Sequence, residues 1–240
     1  MPLNRTGFGF ALLAVGLATV LSVSRAIAQT SEPPAATPPA GGALYKPPLR
    51  GAPGGRVGGA SRGIGSAAPT IELIAPRDHT GQTASATPVL YFFASQPVTA
   101  PTQLTISAPL QPAPILETKL ASPPARGLHA VRLADYHVQL QPGIVYSWSI
   151  SAITDPKDWS RNTVASATIS RVVPDAQLDS AVRAAQPAGR AALLAGAGLW
   201  YDAIAVASET ANVDRHAALD ELLTEGGLAE PLSYDRALAR

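Results

Sequence analysis

Leu140-Gln141-Pro142-Gly143-Ile144-Val145-Tyr146-Ser147-Trp148-Ser149-Ile150 is the stretch on which the reading of this chain turns. Pro-Gly marks a turn, because proline presets φ and glycine tolerates positive φ. Behind the turn, large apolar residues alternate with serines. Successive side chains of a strand point to opposite faces, so Tyr146, Trp148 and Ile150 share one face and Val145, Ser147 and Ser149 the other. Such alternation predicts a strand with one face in a core.

Working outward, residues 71–173 repeat this texture. Short runs of β-formers predict strands near Ile71–Ile74, Val89–Phe93, Gln103–Ser107, Ile115–Leu120, Leu128–Leu133, Ile144–Ile153 and Thr163–Val172. Prolines 76, 88, 97, 101, 109, 112, 114, 123, 124, 142 and 156 fall mainly between them. Proline removes a ladder donor and so suits turns and edges. Seven short strands in roughly 100 residues predict an antiparallel β-sandwich. The Leu140–Ile150 stretch resembles the corner and following strand of fibronectin type III domains, where Leu precedes a Pro-Gly turn and a Tyr. That resemblance makes Tyr146 a tyrosine corner, its hydroxyl bonded to backbone a few residues upstream.

After Val173 the pattern turns helical and rich in alanine. Pro174-Asp175 starts the first helix, and helices are predicted at about 175–186, 188–196, 199–211 and 214–225, broken by Pro187, Gly196/Gly198, Asn212 and Gly226-Gly227. Leu199, Trp200, Ala203, Ile204 and Ala207 form one helical face; Leu219, Leu222 and Leu223 form another. These hairpins are similar to tetratricopeptide units but too few for a repeat array, so they are expected to dock onto the sandwich. The fold class is thus a fibronectin- or immunoglobulin-like sandwich, residues 71–173, followed by a small helical module, residues 174–240.

The N-terminus reads as an address. A polar start with Arg5 leads into the uncharged Gly7–Val23 run and then Ala26-Ile27-Ala28. This is the layout of a secretory signal peptide, with cleavage expected after Ala28; the rival is an uncleaved anchor. No later run is long enough to span a bilayer, so the mature protein is expected in the periplasm or outside the cell. Residues 29–44 form a Pro/Ala-rich linker and residues 45–70 an Arg/Gly-rich extended segment in which Tyr45 and Leu49 offer anchors. The chain has no cysteine, which excludes thiol chemistry and cysteine-bound metals. Its net charge is +1, but residues 174–240 carry five Arg against ten Asp/Glu. With basic excess confined to the N-terminal tether, a nucleic-acid partner is not expected.

YKPPLRGAPGGRVGGASRG, IELIAP, the YFF strand, LQPGIVYSWSI, DPKDWSRN, ISRVVPDAQL and GLWYDAI follow one another in that order. Together they resemble the exported bacterial family labelled domain of unknown function 928, over about residues 45–230. The resemblance implies no established activity. It implies that the Arg/Gly segment belongs to the domain. It also implies that many members carry a Cys after this segment and another before the Asp-Pro loop; Gly65 and Thr154 stand near those points here, so such a cross-link is absent.

Gly58-Gly59-Ala60-Ser61-Arg62-Gly63-Ile64-Gly65 imitates two catalytic signatures. A dinucleotide loop needs a strand before it and a helix after it. Here RGAPGGR precedes and SAAPT follows, and the positions four before Lys46, Lys119 and Lys157 are Gly42, Ile115 and Ile153, so no Tyr-x-x-x-Lys exists. The G-x-S-x-G elbow needs the same context and fails with it. The glycines are read as pliant backbone, with Arg56 and Arg62 reaching surface acids; Arg50, Arg56 and Arg62 are expected along the acidic helices.

Two other places invite function. Asp155-Pro-Lys-Asp158-Trp159-Ser-Arg161-Asn162 joins the last two strands, at a sandwich end where binding loops cluster. Its carboxylates, aromatic face and guanidinium suit a sugar, a peptide or Ca²⁺; alternatively it is a hairpin turn with Asp158 paired to Arg161. Trp200 and Tyr201 are either core or anchors for a partner segment. His79, His129, His137 and His216 show no zinc spacing. The reading assigns no catalytic residue, cofactor or metal. It favours a non-enzymatic interaction or scaffold module whose partner is an envelope protein. The alternatives are a carbohydrate-binding module and an enzyme acting on envelope glycans or peptides.

Overall fold

The computed structural model describes residues 44–48, 54–58, 69–121, 124–209 and 213–238. The predicted signal peptide, Arg50, Ser61, Arg62 and Gly65 lie outside them. Among the described residues eight strands come first: β1 (Ile71–Leu73), β2 (Gly81–Thr83), β3 (Val89–Ala94), β4 (Thr102–Ser107), β5 (Leu116–Lys119), β6 (Gly127–Arg132), β7 (Val145–Ala152) and β8 (Thr163–Arg171). Five helices follow: α1 (Ala176–Ala184), α2 (Pro187–Gly196), α3 (Trp200–Glu209), α4 (Val213–Glu225) and α5 (Ala229–Leu238). The strands make two sheets, β1-β3-β6 and β2-β8-β7-β4-β5. This is the β-plus-α class, a sandwich with helices after it.

The inner faces follow the alternation in the sequence. Tyr146, Trp148 and Ile150 of β7 are buried, together with Leu104 and Ile106 of β4 and Ala165, Ala167 and Ile169 of β8. From the other sheet come Ile71 and Leu73, paired with Ala94 and Phe92 of β3. The tyrosine corner is present: Gln141 N–H donates to the Tyr146 hydroxyl at 3.0 Å. Gly143 between them takes φ 77°, a conformation that favours glycine.

Two elements escaped the sequence reading. β2 is three residues long and pairs in parallel with β8, Gly81 opposite Ile169. It is too short and polar to give a periodic signal. Gly81 is needed there, since a Cβ would lie 2.6 Å from Cε2 of Tyr201. α5 contains Pro231, which sits in the first helical turn, where a missing N–H breaks no intrahelical bond. Pro187 likewise opens α2 instead of separating helices. Asp175 caps α1, its carboxylate accepting from Leu178 N–H at 2.7 Å.

The helices pack α2 on α3, α3 on α4 and α4 on α5, with α3 reaching β2 and β3 and α5 reaching β6. They cover part of the outer face of the three-stranded sheet. Parts of the Arg/Gly-rich segment are ordered on this body. Val57 and Ser166 exchange backbone hydrogen bonds of 2.7 and 3.0 Å on β8. Tyr45 N–H donates to the Glu225 carboxylate at 2.7 Å, and Lys46 N–H to Ala195 O at 3.0 Å.

Arg56 is buried and corrects its expected role. It donates to the carbonyls of Ala75, Gly226 and Gly227 at 3.1, 2.6 and 2.8 Å, and pairs with Glu72 of β1 at 2.9 Å. Arg56 therefore does reach the helical module, at the α4–α5 turn. It reaches backbone there, and its carboxylate partner lies in the sandwich. A planar guanidinium with five donors can bind three carbonyls and a carboxylate together.

Trp148 and Tyr201 fasten sandwich to helices. The indole N–H of Trp148 donates to the Tyr201 hydroxyl at 2.9 Å, and that hydroxyl donates to Thr168 O at 3.1 Å. Both rings are fully buried. Tyr201→Phe removes the acceptor of one buried group and the donor of another, so it is expected to cost about 1–3 kcal/mol. Urea unfolding followed by tryptophan fluorescence measures this; an unchanged midpoint would mean the pair contributes nothing.

Candidate functional site

A concavity lies between the outer face of the three-stranded sheet and the last helices. Tyr91 and Phe93 of β3 face Ala130 and Leu128 of β6 in register, and Arg132 lies two residues beyond Ala130. Leu219 and Leu223 of α4, and Pro231, Tyr234 and Leu238 of α5, close the other side. The groove holds about 400 Å³. Its floor is mainly aromatic and aliphatic, with Ser208 and the buried Asp235 also in the lining, and its rim is charged. The Arg126 guanidinium lies 5.3 Å over the Tyr234 ring, while Arg132 pairs with Glu209 at 3.2 Å. Phe93 meets Tyr234 edge-on at 5.4 Å. Gly127, at φ 127°, leaves room for this, because a Cβ would lie 2.8 Å from the Tyr234 hydroxyl. Burial, then the nearby Glu209 carboxylate, raises the pKa of the Tyr91 phenol, which stays neutral as a wall of the groove.

A second cleft of about 300 Å³ surrounds Tyr45. The Tyr45 hydroxyl lies 2.7 Å from Nε2 of His79, whose Nδ1 lies 2.8 Å from Asp78 Oδ1. The two rings stack with centroids 5.7 Å apart, and Trp200 meets Tyr45 edge-on. The chain of Tyr, His and Asp imitates a proton relay, but burial, then the Asp78 charge, pushes the phenol upward and away from nucleophilic use. Its visible work is to hold residues 44–48 against the helices. His79 gave no sequence signal, because its partner is 34 residues away.

The 155–161 loop closes on itself. Asp155 Oδ1 accepts from Lys157 N–H at 2.9 Å, and Asp158 Oδ1 accepts from the Ser160 N–H and hydroxyl at 3.1 and 2.6 Å. The Ser160 bonds hold the Asp158 carboxyl below the usual range. Arg161 pairs with Asp155 at 3.7 Å, where the sequence suggested Asp158. Asn162 Oδ1 ties the base, accepting from Thr154 and Asp155 N–H at 2.9 and 3.1 Å. The Trp159 side chain lies outside the described residues. Trp200 and Tyr201 are in the core: both are buried, and the Trp200 indole donates to Ile74 O at 3.1 Å. That geometry leaves neither ring a surface to offer a partner segment. Among the described residues no cluster of metal-binding side chains occurs.

The carboxyl groups whose pKa is raised stand away from the groove, and Glu225 among them lines the cleft at Tyr45. Burial raises Asp202, which accepts Ala84 N–H at 2.9 Å. Burial also raises Glu225, which clamps Leu44 and Tyr45, and Glu72, despite Arg56 beside it. Each anchors a neighbouring segment.

Fold and site together define a β-sandwich protein with a helical cap and a groove between them. The chain belongs to the Domain of Unknown Function (DUF928) family, whose model matches residues 57–233. No curated protein and no solved structure matches the chain.

Asp202 allows a test of the electrostatics. A carboxyl raised on folding binds protons more tightly when folded, so its contribution to stability is present at low pH and lost as pH rises through the raised folded value. Asp202→Asn removes that contribution. The stability of the variant minus that of the wild type is expected to increase as pH rises from about 4 to 7. Parallel urea-derived curves would remove burial as the dominant influence on Asp202.

Proposed function

We propose that this protein is an exported, non-enzymatic interaction module that holds a segment of an envelope protein in the groove between β6 and α5. The observation that carries the reading is the groove itself, an aromatic and aliphatic floor under a rim of Arg126, Arg132 and Glu209. Binding sites of this kind combine an apolar centre with polar edges that fix orientation. Export is supported by the leader-like Arg5–Ala28 sequence. Among the described residues no helix is long and apolar enough to cross a membrane.

The enzyme alternative needs titratable groups converging on a cavity. Asp202 and Glu72 are held by backbone and by Arg56 as chain anchors, and Glu225, which lines the cleft beside Tyr45 and His79, has both carboxylate oxygens taken by the Leu44 and Tyr45 N–H groups. The carbohydrate alternative relied on the 155–161 loop, whose acids are engaged within the loop.

A photoreactive residue placed at Leu238, which is 64 % exposed on the groove, tests the reading beside one at Leu110, which is fully exposed on a distant turn. Irradiation of cell envelopes is expected to give one discrete adduct from position 238 and none from position 110. Identical patterns from both sites, or none from either, would overturn the groove assignment.

A further inference from the structure

The groove runs along an open strand edge. β6 is the last strand of its sheet and pairs on one side only, with β3. Leu133 N–H donates to Pro88 O at 3.1 Å. Hydrogen bonding alternates along an antiparallel ladder, so His129 and Val131 face β3, and Leu128, Ala130 and Arg132 turn their N–H and C=O groups outward. Among the described residues these outward groups have no hydrogen-bond partner.

In the five-stranded sheet two margins are guarded. Val57 adds to β8 beyond β2. β5 places charged, exposed Glu117 and Lys119 on its edge strand, a recognised protection against unwanted pairing. β6 contains no proline and no lysine, and its central Ala130 is exposed.

Clefts flank this edge on both sides. The groove lies on the helical side, and a second cleft of about 380 Å³, lined by Phe92, Leu120, Pro124, Val131 and Tyr136, lies on the other. Ala130 and Arg132 line both. A strand added to β6 would send alternate side chains into the two clefts. The charge of the edge selects among such strands. Residues 126–132 carry Arg126, His129 and Arg132 and no acid; the carboxylates lining the clefts are Glu209, already paired with Arg132, with Asp235 in the groove and Asp135 on the other side. Arg126 has no carboxylate partner among the described residues. Arg126, Leu128, Ala130 and Arg132 share one face, with a base at each end and two apolar side chains between.

Building on the groove as an interaction surface, we infer that β6 is a strand-addition site for an extended, proline-free segment of a partner protein, apolar at its centre and acidic at both ends. Main-chain bonds to Leu128, Ala130 and Arg132 supply affinity, and the two clefts supply specificity. Carboxylates at the ends of the segment meet Arg126 and Arg132, the latter already sharing Glu209.

The test uses the full chain without its leader and an array of capped heptapeptides, with Asp or Glu at both ends and Val, Ile, Leu or Thr between. Binding is read by fluorescence polarisation. The best binder is then N-methylated at its third and fifth residues, or at its second and fourth. Only one parity faces β6, so one pair of methylations is expected to weaken binding at least about tenfold and the other to leave it unchanged. Arg126→Glu is expected to weaken the acidic peptide comparably and to bind a version with a lysine at that end. The inference is overturned if no peptide binds, if both parities lose affinity equally, or if the chain sediments as a dimer that Ala130→Pro dissociates, which assigns the edge to a second copy. None of these results touches the Leu238 adduct, so failure here leaves the groove reading to its own test.

Discussion

The indole nitrogen of Trp148 points out of the centre of the five-stranded sheet toward a helix. Its acceptor is the Tyr201 hydroxyl of α3, and that hydroxyl passes its own hydrogen to Thr168 on the neighbouring strand. A buried indole N–H without a partner is costly, so the sandwich core is complete only with α3 in place. Trp200, next in the chain, repeats the arrangement on β1's side by donating to Ile74 O. Two consecutive aromatic residues thus place one helix against both sheets.

The rest of the molecule depends on that placement. With α3 fixed, α4 and α5 stack in succession, and their apolar residues become the far wall of the groove. Arg56 holds the α4–α5 turn from below through Gly226 and Gly227 while reaching Glu72. The groove is a gap between two surfaces that were positioned for other reasons, by bonds made elsewhere. Its width reflects Gly127 and Ala130, where larger residues would meet Tyr234 or fill the floor.

Local features were legible in the sequence. The tyrosine corner needs only a Leu-x-Pro-Gly turn and a Tyr five residues beyond Gln141, and the structure has its hydrogen bond. Strand alternation identified the buried face of β7 because period and burial coincide from Val145 to Ile150, before Ser151 is buried as well. What was illegible depends on distant partners. Periodicity showed that Trp200 and Tyr201 share a helix start, but not that a sheet covers them. Arg56 was expected to seek acids, yet most of its bonds go to carbonyls, which any residue carries and no sequence displays. The 155–161 loop looked functional because its residue types suit ligands; the same side chains suit Asx turns. The groove left no motif, since it is assembled from β3, β6, α3, α4 and α5.

The clamp between Glu225 and the backbone of Leu44 and Tyr45 has a kinetic meaning. It joins residues 180 and 181 positions apart. Contacts of such separation require closing a long loop before they return any energy, which slows folding and postpones it. A chain emerging N-terminus first has its sheet sequence early, but the partner of Trp148 arrives 53 residues after it, and the acceptor for Tyr45 later still. Folding of the sandwich therefore waits for Tyr201 and Glu225, and until they are available its strands lack the helix that completes their core.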